Sequence, residues 1–120
     1  MIQLPHQAWL VLGKAQEQKW EDVVEVRKRY QGNGICLYSL GKLRDAFGQV
    51  LTEDPQAQFR IAENLFDKRY YLVIQLKIHG KVYTSYAQNC AHKMYQEDCA
   101  ERYYSMLQQT VLGCLQSTKQ

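Results

Sequence analysis

The sequence predicts an α+β domain: a three-stranded antiparallel meander flanked by helices in the order α-β-β-β-α, preceded by an N-terminal extension. Three observations carry this reading. Apolar and polar residues alternate between Phe59 and Ala87, most regularly over Tyr70 to His79. A stripe at helical spacing runs through Leu40, Leu43, Phe47, Val50 and Leu51. A second stripe runs through Tyr95, Cys99, Tyr103, Met106, Leu107, Val111 and Cys114. Period two marks a strand with one face buried, and period 3.6 marks an amphipathic helix. With 120 residues the chain matches the usual size of one domain. The reading divides it into an extension, 1–38, and an α-β-β-β-α core, 39–120, packed together.

Along the extension, Ala8-Trp9-Leu10-Val11-Leu12 has strand character. From Lys14 to Tyr30, the spacing of Trp20, Val23, Val24, Arg27 and Tyr30 favours a helix, while three valines leave a strand open. Gln31-Gly32-Asn33-Gly34 is a breaker, because both glycines accept positive φ. In the core, Ser39 is the expected N-cap of a helix that ends at Thr52-Glu53-Asp54-Pro55. Phe59 to Ala62 reads as a short strand. Tyr70 to His79 follows, with Leu72, Ile74, Leu76 and Ile78 on a buried face. Tyr71, Val73, Gln75, Lys77 and His79 form a half-polar face expected to meet solvent. Gly80 marks a hairpin, Val82 to Ala87 the third strand, and Lys93 to Leu115 the closing helix.

Composition excludes several classes. The longest early apolar run is five residues, against roughly 20 for a membrane span. The first seven residues lack Lys and Arg, so no secretory leader is read there. Cys36, Cys90, Cys99 and Cys114 are irregularly spaced and read as reduced thiols of a cytoplasmic protein. A net charge of +3 permits a nucleic-acid partner without requiring one.

From Ser39 onward, the order helix, three antiparallel strands, helix resembles the double-stranded RNA-binding domain. Pro55 before the first strand is similar to that family, as are the run Tyr71 to Tyr83 with its glycine hairpin and His92-Lys93 followed by Cys99-Ala100. Thr84-Ser85-Tyr86 replaces the family's glycine-rich third strand, and Gln96 stands at a position where the family is basic. The resemblance implies duplex RNA binding, with His92 and Lys93 at the start of the last helix facing phosphates.

Among the residues themselves, Arg27-Lys28-Arg29 is the densest basic run, and Tyr30 beside it offers a ring for base stacking. Lys68, Arg69 and Lys81, near the ends of the long strand, extend the candidate surface together with His92 and Lys93. Cys90, His92 and Cys99 are zinc-ligand types, with Cys114 or His79 as a fourth, but their spacing fits no usual zinc signature. No nucleophile lies at a recognisable spacing from His6, His79 or His92, and the glycine pair lacks the Lys-Ser/Thr of a phosphate loop. The expectation is therefore a non-enzymatic binding module with no metal and no cofactor. Its partner is a nucleic acid or a protein, a second copy included. A winged-helix DNA-binding arrangement, with Lys42 and Arg44 towards DNA, is the third reading.

Overall fold

Pro5 starts the first helix. A computed structural model of the chain, describing residues 3–30, 38–91 and 99–119, places α1 at His6–Gln16. The Pro5 carbonyl accepts the amides of Ala8 and Trp9 at 2.9 and 3.1 Å. Ala8, Val11, Leu12 and Ala15 are buried at helical spacing, while Trp9 and Leu10 are each 48% exposed. The strand expected at Ala8–Leu12 is thus a helix. An unbroken apolar run carries no period, and the period lies instead in the wider set 8, 11, 12 and 15.

The helix expected over Lys14–Tyr30 is interrupted. After α1 the chain turns through Gln18 and Trp20, forms the two-residue strand β1 (Glu21–Asp22), and enters α2 (Val23–Arg29) at once. Tertiary bonds override local spacing here. Glu21 and Asp22 pair with Phe59 and Gln58, and the Val23 amide donates to the Ala57 carbonyl at 2.9 Å.

The described sheet accordingly has four strands, where three were expected. It runs in the order β1-β2-β3-β4 and is antiparallel throughout, with β2 at Gln58–Phe66, β3 at Arg69–Ile78 and β4 at Lys81–Cys90. In register, Ile74 faces Ile61 on one side and Ser85 on the other. Both hairpins close through two residues of positive φ, Asp67 (50°) with Lys68 (62°) and His79 (53°) with Gly80 (80°). That backbone hand matches the twist of the flanking strands.

Two further helices, α3 (Tyr38–Glu53) and α4 (Cys99–Ser117), cover one sheet face together with α2. There Leu72, Ile74, Leu76 and Ile78 meet Val23, Val26, Leu43, Phe47, Met106, Leu107 and Val111 in one core, with Tyr103 partly buried against it. The opposite face differs from expectation: α1 lies on it, with Ala8, Val11 and Leu12 against Tyr71 and Val73. Residues 71–76 are buried without a break, and Gln75 is only 4% exposed. Val73, on the face expected to meet solvent, is fully buried, which contributes about 1.5–3 kcal/mol.

Ser39 also departs from its expected role. Its amide and hydroxyl donate to the Glu101 carboxylate of α4, at 3.3 and 2.8 Å, so a neighbouring helix satisfies these donors. Among the described residues, no helix is long and apolar enough to cross a membrane.

Candidate nucleic-acid interface

The Arg27–Tyr30 run does not form an open clamp. Arg27 is half-buried and lies across Gly48, where a methyl group would stand 3.2 Å from its Nη2. Lys28 pairs with Glu25 at 3.4 Å and Arg29 with Glu21 at 3.0 Å. Tyr30 is packed inward, stacked on Phe47 at 5.9 Å and edge-on to Tyr104 at 6.0 Å. Burial raises the phenols of Tyr30 and Tyr103 above the usual tyrosine range. Adjacency to the basic run suggested a ring offered for stacking, whereas the helical spacing of Val23, Val26 and Tyr30 turns it towards the core.

Lys68 and Arg69 lie at one end of β3, and Lys81 lies at the other. The strand's ten residues separate them by about 30 Å, so they do not share one contact. The Lys68 carbonyl accepts the Ala91 amide at 2.9 Å, which ties the exit of β4 to this turn. His92 and Lys93 follow in sequence and lie outside the described residues. Of the winged-helix pair, Lys42 rests 4.6 Å over the exposed Tyr38 ring, and Arg44 is half-buried.

A different basic group is brought together by the fold. On the face covered by α1, the helix packs on Tyr71 and Val73, and towards the His79–Gly80 hairpin the face carries Arg60, Gln75, Lys77 and Thr84. Arg60 of β2 faces Gln75 of β3, which faces Thr84 of β4. The Arg60 Nε donates to Gln75 Oε1 and the Gln75 Nε2 donates to Thr84 Oγ1, both at 2.9 Å. The Arg60 Nη1 also reaches the Gln16 carbonyl at the end of α1, at 3.3 Å. A buried glutamine therefore holds the guanidinium in one orientation.

Trp20, in the link between α1 and β1, lies against this row. The Arg60 guanidinium is 4.1 Å from its ring centroid and the Lys77 ammonium 4.4 Å. Among the described residues, no carboxylate forms an ion pair with Arg60 or Lys77. Beside the indole is a hollow of about 470 Å³ lined by Gln18, Lys19, Trp20, Glu21, Arg60 and Ile61. Its one carboxylate, Glu21, is already engaged by Arg29. The arrangement offers an aromatic surface and three cations to an anionic partner.

Sequence reasoning missed this group. Arg60 and Lys77 are 17 residues apart and become diagonal neighbours only through the β2–β3 register. The available signal was alternation, which places Gln75 and Lys77 together on the second face of β3.

Other candidates resolve differently. Among the described residues, no three His, Cys, Asp or Glu side chains gather as a metal site. Cys90 and Cys114 are free thiols. Cys114 is buried in the core, where burial pushes its thiol up to about 12. Compared with known proteins, the chain matches no family model, no curated protein and no solved structure.

Proposed function

We propose that the chain is a non-enzymatic nucleic-acid-binding module that holds phosphates at the Trp20–Arg60–Lys77 group on its second sheet face. One observation carries the reading: Arg60 and Lys77 converge on Trp20 without a carboxylate partner among the described residues. Unpaired cations release condensed counterions when they meet a phosphate backbone, and that release drives association. Contacts of this kind fix position and carry little sequence information. The resemblance to the double-stranded RNA-binding domain supports the same partner class.

The test is fluorescence anisotropy with labelled oligonucleotides over a range of salt. Affinity should fall steeply with salt, and Arg60→Gln and Lys77→Gln should each shallow the log–log slope by about one unit. Arg27→Ala with Arg29→Ala should leave the slope unchanged, since those side chains are packed or ion-paired in the fold. Absence of binding at low salt would overturn the proposal.

A protein-contact reading has its own support in Trp9 and Leu10, adjacent and half-exposed on the outer side of α1. Light scattering with Trp9→Ala and Leu10→Ala tests it for a second copy of the chain, since loss of a parent dimer in the variants would place the contact there.

A further inference from the structure

On the nucleic-acid reading above, we infer that the polymer is single-stranded and that one unpaired base enters the hollow beside Trp20 and stacks on the indole. The hollow is concave and bounded by the α1–β1 link on one side and strand β2 on the other. Its volume of about 470 Å³ suits one small planar group, since sites for small organic ligands span roughly 300–1,000 Å³. Trp20 is half-buried, so part of the ring is supported by the fold and part is offered to the hollow.

The charges are placed for the backbone on either side of such a base. Arg60 and Lys77 sit against the same indole, and Lys19 is exposed on the rim. Because Gln75 and the Gln16 carbonyl fix the guanidinium of Arg60, little side-chain entropy is lost when a phosphate arrives. A tryptophan among fixed cations is the pairing that single-strand binding uses, with stacking for the base and charge for the backbone. A duplex offers no free base face. Its bases are paired and stacked, and extruding one costs a few kcal/mol that a single strand does not incur.

The chain holds two tryptophans, so Trp9→Phe leaves Trp20 as the sole indole reporter. In that background, three probes of equal length are compared at one salt concentration: a mixed-sequence single-stranded RNA, the same sequence as a duplex, and an abasic strand. The single strand should bind most tightly and quench Trp20 emission. The abasic strand should bind more weakly and leave emission unchanged, with a similar salt slope. Trp20→Leu should weaken single-strand binding about 5- to 150-fold, the range expected for losing one stacked base, while Trp20→Phe should retain most of it. A circular dichroism spectrum matching the parent keeps the Leu result interpretable. Duplex binding equal to or tighter than single-strand binding, with emission unchanged, overturns the stacking inference and leaves the broader proposal standing. Failure of all three probes to bind overturns both.

Discussion

Gly113 of α4 and Ser85 of β4 are in such close approach that a methyl group at residue 113 would stand 2.6 Å from the Ser85 Oγ. The Ser85 Cβ would lie at an ordinary 3.5 Å, so the hydroxyl alone obstructs. Replacing a mid-helix glycine with alanine normally stabilises by about 1 kcal/mol, and crowding a packed interface costs about 1–3 kcal/mol. Gly113→Ala should therefore destabilise the parent by about 1 kcal/mol and stabilise a Ser85→Ala background. Urea denaturation of the four proteins in this cycle measures the coupling, and equal effects in both backgrounds would refute the contact.

The β2–β3 hairpin places Lys68 at φ 62°, in the left-handed region, beside Asp67 at 50°. A lysine there bears a Cβ–carbonyl clash that glycine lacks. Lys68→Gly should stabilise by about 0.5–1 kcal/mol, and Lys68→Val should destabilise, because branching at Cβ worsens the same clash. Thermal melts decide the order Gly, Lys, Val.

Asp54 ties the start of β2 to the far hairpin. Its carboxylate accepts the His79 amide at 2.8 Å and the Gln56 amide at 3.0 Å, which lowers its pKa below the ordinary 3.8. A depressed carboxylate contributes stability that is present above the unfolded value and lost as pH falls through the folded one. Asp54→Asn should lower the melting temperature at neutral pH, with the difference shrinking as pH falls below the ordinary 3.8 and the parent carboxylate takes up its proton. A constant difference down to pH 2 would mean the charge is irrelevant.

Glu63 behaves in the opposite sense. It accepts a hydrogen bond from the Tyr70 hydroxyl, yet desolvation raises its pKa above the ordinary 4.5. A raised carboxyl contributes stability that is full below the unfolded value and lost as pH rises through the folded one. Glu63→Gln should melt higher than the parent at pH 7 and converge with it near pH 4. Its negative charge also lifts the phenols of Tyr30 and Tyr103, so the variant should titrate its tyrosines at lower pH. Ultraviolet absorbance at 295 nm (the tyrosinate band) reads that change.

The core strand was legible because its signal is local. Leu72, Ile74, Leu76 and Ile78 alternate without interruption, and all four are buried as expected. The stripe from Leu40 to Val50 is equally local, and its helix forms. What lay beyond reading were choices made between distant segments. The valines after Glu21 leave a strand open, but nothing local places it at Glu21–Asp22, because the partner Phe59 is 38 residues away. Nothing near Val73 signals a cover, because the cover is Ala8, Val11 and Leu12. The basic cluster followed the same rule. Arg27 to Arg29 were conspicuous through adjacency in sequence and are separately engaged in the fold, whereas Arg60 and Lys77 are gathered by pairing register and by a tryptophan from the link before β1.

Helix α1 has a consequence for where this polypeptide tolerates cutting. A fragment beginning at Ser39 keeps every element of the α-β-β-β-α pattern and discards the layer over Tyr71, Val73, Ala62, Phe66 and Tyr86. It also discards Val23 and Val26, which fill the other core. Such a fragment presents a wet apolar sheet face beside β4, whose outer edge pairs with no other described strand. Those two surfaces together are a template for intermolecular strand pairing. The smallest unit that stays monodisperse must therefore begin ahead of Pro5. Residues 3–30 then act as a wall of the domain, and a protease that severs the α1–β1 link should convert a stable protein into an aggregating one.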